Sequence, residues 1–331
     1  MWSPHNLLMS STLMISIIIV ASSASWFSLW LGLEINTLAF LSIISTNNKE
    51  TTESSMIYFL PQALASSTFL FASLSNTLTN SPHTHKMLTS LILLAMIMKL
   101  GAAPLHQWFP KVALKLTMPF NSILMTIQKM PPMIILSQIS PPPTILNMAI
   151  FTSALFGPLG GLSQTNIKTI LAFSSISHLA WMLASMSFNN TFWQMYLLIY
   201  SLILLSILLT LNKKKITSTN QITFLNHQHP TKTLLTLLFL SLGGMPPLTG
   251  FLPKWTIIMN HPSLLTLLFL ISSTLLNLFF YLRICYSTLF IFTPSPSLHL
   301  PMSPTSHIPT FILSLFSFSM LLSMLLVLNN T

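Results

Sequence analysis

A chain of 331 residues that is 52% hydrophobic and only 5% charged cannot cover a water-facing surface, because a soluble domain carries about 25% charged residues. It has no aspartate and three glutamates (Glu34, Glu50, Glu53), and its twelve lysines and single arginine are scattered between apolar runs, so the net charge of +10 reads as membrane topology rather than as a nucleic-acid surface. Cys285 is the only cysteine, which excludes an intrachain disulfide, a cysteine-rich zinc site and a cysteine-ligated iron–sulfur cluster within the chain.

A helix needs about 20 mostly apolar residues to cross a bilayer. In chain order the apolar runs predict eleven spans: 7–24, 26–45, 56–79, 87–107, 118–137, 144–160, 166–186, 192–211, 233–258, 263–290 and 309–328. The first run lacks a basic flank and leads into a second apolar run, so a cleaved secretory signal is not expected. The longest connections, 212–232 and 291–308, are short and polar or proline-rich. The expected fold class is therefore an all-α polytopic membrane protein, with residues 1–331 forming one transmembrane domain. Numbering the loops alternately places Lys49, Lys111, Lys115, Lys168, Lys213, Lys214, Lys215 and Lys232 on one side and only Lys86 on the other. By the positive-inside rule the N-terminus lies on the lysine-rich side and the C-terminus opposite.

Four cations remain inside spans: Lys99, Lys129, Lys254 and Arg283. A lysine at a helix centre costs about 2.5–3.5 kcal/mol on insertion scales, so such residues face protein or a wet interior and usually serve function. Lys99 and Lys129 lie too deep to snorkel to the headgroups, and Glu34, the only carboxylate within a span, is their natural counter-charge. The alternative is a structural ion pair. Lys254 lies near a span end, where snorkelling is a fair account. However, Gly243, Gly244, Pro246, Pro247 and Gly250 break the helix just before it. The run "KLGAAPLHQW" repeats the device after Lys99. Broken helices survive in membranes only where freed backbone groups are buried in protein or line a wet cavity, and a pair of them marks a midplane ion path. Burial disfavours an ammonium and a nearby carboxylate favours it, so moving Glu34 toward or away from Lys99 loads or releases a proton.

His178, in "SSISHLAW", sits centrally in its span beside Ser174, Ser175 and Ser177, a face suited to water, although a lone histidine is more often a packed, hydrogen-bonded residue. His106 follows the break after Lys99 and is a possible further member. The HxH pairs His83/His85 and His227/His229 lack additional ligands and read as solvated loops. No facing histidine pair suits a bis-histidine haem, and no GxGxxG or GxxxxGK[ST] supports nucleotide binding.

Six segments occur in a characteristic order: "TTESSMIYFLPQA", "MKLGAAPLHQWFPK", "IQKMPPM", "GGLSQTNIKTILAFSSISHLAWM", "SLGGMPPLTGFLPKW" and "LNLFFYLRICYS". With them the chain resembles, from about Trp26 to Ser287, the chain 2 family of mitochondrial NADH–ubiquinone oxidoreductase. The resemblance implies an antiporter-like fold with two discontinuous helices (near 87–107 and 233–258) in the membrane arm of respiratory complex I. Bacterial relatives carry three further N-terminal helices that animal forms lack, which agrees with eleven spans. The implied activity is proton translocation from matrix to intermembrane space, driven by electron transfer in other subunits. In the resemblance Lys99 and Glu34 form a switch pair and Lys129 is a central relay. His178 would reach Lys129 through water, and Lys254 lies at the exit side. The chain itself would hold no cofactor, with NADH, FMN, iron–sulfur clusters and ubiquinone carried by other subunits. Expected partners are other membrane-arm core and accessory subunits and phospholipids including cardiolipin, with no nucleic acid. The implied location is the mitochondrial inner membrane, N-terminus in the matrix and C-terminus in the intermembrane space. Lys111 stands where vertebrate relatives carry an acidic residue, and "IQK" and "HQW" replace the usual "WQK" and "HFW". The competing readings are a cation/proton antiporter subunit of the same fold, and a structural scaffold with silent lysines.

Overall fold

The computed structural model describes residues 4–45, 49–78, 81–139, 142–188, 191–223, 229–261 and 263–289. The expected span 309–328 lies outside the described residues. In chain order the helices are α1 (Pro4–Ser22), α2 (Trp26–Ile44), α3 (Lys49–Leu78), α4 (Pro82–Leu100), α5 (Trp108–Lys115) and α6 (Met118–Met125). A 3-10 turn (Ile127–Lys129) then leads into α7 (Met130–Ile139), α8 (Pro143–Leu162), α9 (Ile167–Met186), α10 (Phe192–Lys214), α11 (Thr219–Thr223) and α12 (His229–Gly243). A second 3-10 turn (Thr249–Phe251) precedes α13 (Leu252–Asn260) and α14 (Leu264–Leu289). Among the described residues the only β-type pairing is an isolated bridge between Asn166 and Ser218.

Local chemistry sets most boundaries. Ser25 caps α2, its hydroxyl accepting the Ser28 N–H at 3.2 Å, which ends the first apolar run without a polar loop. Proline occupies the first turn of α4, α6, α8 and α13, where its missing N–H removes no helix bond. Serine and threonine hydroxyls along the helices donate back to carbonyls three or four residues earlier, as Ser174 does to Leu171 at 2.9 Å. That lets polar side chains sit in apolar surroundings without an orphan donor. Seven helices among the described residues are long and apolar enough to cross a membrane: α1, α2, α3, α8, α9, α10 and α14. The expected spans 87–107, 118–137 and 233–258 are each divided into shorter pieces.

The core of the bundle is α9, nearly all of whose residues are buried. It packs against α5, α6, α8, α10, α13 and α14. At its N-terminal end the lysine-rich loops converge. Lys115 pairs with Glu53 at 2.5 Å, and Lys168 donates to the Leu116 carbonyl at 2.6 Å. The chain before α9 also bonds to the chain after α10, Ile167 N–H to Thr217 O at 3.0 Å and Thr219 N–H to Thr165 O at 3.1 Å. At the other end of α9, Ser187 meets His261, the residue that closes α13, at 3.3 Å. The α4–α5 run thus heads toward the start of α9 and the α12–α13 run toward its end. The two broken runs are antiparallel.

Candidate functional site

Both expected breaks end their first helix in the same way. Gly101 adopts φ +68° and Gly244 φ +83°, the left-handed conformation that glycine takes without a Cβ penalty. At α4 the Gly101 N–H bonds Met98 O and the Ala102 N–H bonds Ile97 O. At α12 the Gly244 N–H bonds Ser241 O and the Met245 N–H bonds Leu240 O. These are Schellman closures, which satisfy two carbonyls at each helix end. The next carbonyl is treated differently. Lys99 O accepts the Gln62 side-chain amide at 3.2 Å, whereas Leu242 O and Gly243 O accept the Lys254 ammonium at 3.3 and 2.8 Å. Lys254 therefore sits on the negative end of α12, a favourable place for a cation.

A third break, in 118–137, was not among the two expected. Pro131 and Pro132 lack the N–H groups that an α-helix would return to Ile127 O and Gln128 O. The Ile127 carbonyl instead accepts the Met130 N–H in the 3-10 turn. Lys129 is the last residue of that turn. Each of the deep lysines thus lies at a helix interruption, with relative exposures of 5% for Lys99, 1% for Lys129 and 4% for Lys254.

Their surroundings differ. Lys129 Nζ donates to Ser175 O at 3.1 Å and lies over the rings of Phe109 and Tyr200, 5.6 and 5.1 Å from the centroids, a cation–π arrangement that helps hold a buried ammonium. Lys99 Nζ is buried with no hydrogen bond to protein. Glu34, half-buried on α2, makes no direct ion pair with it among the described residues, and its Oε2 lies 3.4 Å from the Thr37 hydroxyl.

His178 is 4% exposed on α9. Its Nδ1 lies 2.7 Å from the Tyr196 hydroxyl and its Nε2 has no protein partner. Its ring lies 5.0 Å from that of Tyr200, over which the Lys129 ammonium sits. A cavity lined by His178, Tyr196, Tyr200, Ser241, Gly250 and Pro253 has about 10 Å³ of free core, the lower limit for one water molecule. That cavity connects the histidine to the broken end of α12.

Two sequence candidates lie elsewhere. His106 is half-buried, with Nδ1 3.3 Å from Pro104 O and its ring stacked 5.7 Å from Phe156. No bond joins it to the lysines among the described residues. Arg283, expected within a span, is exposed and clamps the end of α8, donating to Leu162 O at 2.8 Å and Gln164 O at 2.7 Å. His83 and His85 are exposed, and no metal-binding cluster occurs among the described residues. Sequence reasoning did not single out Gln62, Asn36, Tyr58, Gln128 or Asn277. All are buried, and each makes a side-chain bond to a distant element. A buried amide in an apolar helix was the available signal.

Residues 23–280 match a family described as NADH:quinone oxidoreductase/Mrp antiporter, transmembrane. The chain is 43% identical over 282 residues to NADH-ubiquinone oxidoreductase chain 2 of Anopheles gambiae, covering 82% of each chain. It is 41% identical over 304 residues to the protein of the same name from Osphranter robustus, covering 86% of each. Its fold is similar to a chain of respiratory complex I from Thermus thermophilus, with TM-score 0.85, 22% identity and coverage of 95% of this chain and 77% of that one. It is also similar to a chain of the Mrp complex from a Dietzia species, with TM-score 0.81, 15% identity and coverage of 97% and 75%. The chain belongs to the NADH:quinone oxidoreductase/Mrp antiporter transmembrane family, in the branch whose curated members are named NADH-ubiquinone oxidoreductase chain 2.

Proposed function

We propose that this chain is a core membrane subunit of proton-translocating NADH:ubiquinone oxidoreductase, and that Glu34, Lys99, Lys129, His178 and Lys254 carry the proton. The observation that carries the reading is the placement of three lysines, each at least 95% buried, at three helix interruptions. An apolar side chain in those positions would avoid an insertion cost of about 2.5–3.5 kcal/mol each. The lysines are held in ways that allow exchange. Lys99 lies in the field of Glu34 with no protein acceptor, so motion of either group changes its hold on a proton. Lys129 shares its proton-bearing nitrogen with one carbonyl and two ring faces. His178 offers a free Nε2 beside a cavity that reaches the end of α12. There Lys254 receives the proton against two carbonyls.

The chain performs no redox chemistry in this reading. Electron transfer among NADH, FMN, iron–sulfur clusters and ubiquinone in other subunits supplies the energy. The partners are further membrane-arm subunits and phospholipids, cardiolipin included. One transmembrane domain lies in the mitochondrial inner membrane, its lysine-rich end in the matrix, and protons move from there to the intermembrane space. Kinship with the Mrp complex supports the alternative of a cation/proton antiporter only through the fold, whereas the relatives at about 40% identity carry the oxidoreductase name.

The test is Lys129→Met in the intact complex, reconstituted in vesicles, with protons moved per electron pair as the readout. The ratio falls while assembly and uncoupled NADH oxidation are retained. A parental ratio in a normally assembled variant refutes the reading and leaves a scaffold with silent lysines.

A further inference from the structure

Tyr200, on α10, is buried between Lys129 and His178. The Lys129 ammonium lies 5.1 Å from the centre of its ring, and the same ring stands 5.0 Å from that of His178. Tyr200 and His178 both line the cavity with about 10 Å³ of free core. Leu242 lines it too, and the Leu242 carbonyl accepts the Lys254 ammonium at 3.3 Å. One cavity therefore borders residues in contact with two of the three deep lysines. The Tyr200 hydroxyl and His178 Nε2 are buried without a hydrogen-bond partner in the protein. The Ser175 hydroxyl lies near Tyr200, but its proton goes to Ala172 O at 2.7 Å and no bond between the two forms. An unsatisfied buried hydroxyl costs about 1–3 kcal/mol. A phenylalanine at this position carries no such cost, and its ring face serves an ammonium as Phe109 serves Lys129 at 5.6 Å. The cation–π contact thus explains the ring of Tyr200 and leaves the hydroxyl unexplained. A space of one water's volume is bordered by the same residue.

We propose that Tyr200 is a positioning residue that seats the Lys129 ammonium on its ring and holds, with its hydroxyl, a water molecule beside His178. The inference rests on the proton-transfer reading above. The Tyr200 hydroxyl and His178 Nε2 supply two of the about two to four polar partners that a buried water needs. A phenol suits the place because its oxygen both donates and accepts, so it stays neutral while the water beside it gains or loses a proton. When Lys129 releases its proton, an N–H bond breaks at Nζ and an O–H bond forms at the water. The water then passes a proton to His178 Nε2, which is the accepting nitrogen when Nδ1–H donates to the Tyr196 hydroxyl. The lysine is left neutral and the water is regenerated. Cation–π attraction acts on the ammonium alone, so the ring that seats the charged lysine lets the neutral one move away to be reprotonated.

The experiment compares Tyr200→Phe, Lys129→Met and their combination in the intact reconstituted complex. Tyr200→Phe keeps the ring against Lys129 and His178 and removes only the hydroxyl. It assembles and oxidises NADH at the parental rate under uncoupler, yet loses as much of the proton ratio as Lys129→Met does. The double variant falls no lower than Lys129→Met alone. A structure of the assembled complex with ordered waters shows a water bonded to Tyr200 and His178 in the parent. In Tyr200→Phe that water is gone and Lys129 is unmoved, a change that a purely structural tyrosine would not produce. A parental ratio in Tyr200→Phe overturns the inference, as does a water retained beside His178 in that variant or a further loss in the double variant. Failure of Tyr200→Phe to assemble also overturns it, because the hydroxyl is then needed for the fold. A parental ratio in Lys129→Met overturns the proton-transfer reading itself.

Discussion

Gly250→Ala is the sharpest steric test of how Lys254 is held. A Cβ at Gly250 would lie 1.8 Å from the Ser241 carbonyl oxygen and 2.7 Å from its carbon. Real Cβ contacts essentially never fall below 3.0 Å, so the second 3-10 turn and the end of α12 must separate by at least 1.2 Å. Neither partner is a flexible side chain. Moving the Ser241 carbonyl breaks its bond from the Gly244 N–H, now 3.0 Å, and opens the helix closure. Moving the turn instead carries Lys254 away from Gly243 O, and a 2.8 Å bond lengthened by that distance is lost.

Overpacking of this kind costs about 1–3 kcal/mol, and a lost hydrogen bond to a charged group adds about 1.5–3 kcal/mol. The internal control is Gly243→Ala, whose Cβ meets only Tyr281 and Leu278 carbons at 3.6 Å and beyond, with no positive φ. The assay is the yield of assembled complex together with protons per electron pair. Gly250→Ala lowers both, and Gly243→Ala lowers neither. Equal behaviour of the two variants refutes the close approach and the positioning of Lys254 that depends on it.

Two further outcomes follow from the lysine-rich end. Neutralising Arg283 (Arg283→Gln) removes two charge-assisted bonds at the end of α8, and thermal stability falls by about 1–3 kcal/mol at an unchanged proton ratio; a reduced ratio in fully assembled complex would add Arg283 to the proton path. The Lys115 ammonium bonded to Glu53 holds that carboxyl below its ordinary value of 4.5. A depressed carboxylate stabilises the fold above its unfolded value and loses that contribution as pH falls through the folded one. Melting temperatures of Glu53→Gln and parent therefore differ by a small constant amount at neutral pH, small because Glu53 is 65% exposed; the gap starts to shrink as pH enters the unperturbed carboxylate range near about pH 4 and closes only once pH is below the depressed value of Glu53. A gap that persists in acid contradicts the pairing.

The deep lysines and two of their helix breaks were legible in the sequence because both signals are local. A charge in an apolar run and a Gly–Pro interruption each carry their meaning within a few residues. The third break was hidden in "IQKMPPM". Prolines are tolerated in membrane helices, and only the backbone shows that the missing N–H groups of Pro131 and Pro132 reshape the residues before them. Arg283 lies within α14, as the apolar pattern placed it, but the pattern could not show that its guanidinium would clamp the end of α8.

Composition and pattern alone determined that the chain is a bundle of membrane helices, which loops carry the lysines, and which charges fall inside apolar runs. Those properties are sums over neighbouring residues, since transfer into lipid is priced residue by residue. The bond of Lys129 to Ser175, the place of Tyr200 beside both Lys129 and His178, and the amide link from Asn36 to Gln128 were decided by the tertiary structure. They join residues far apart in the chain, and such contacts depend on which helix faces pack together rather than on what each face contains.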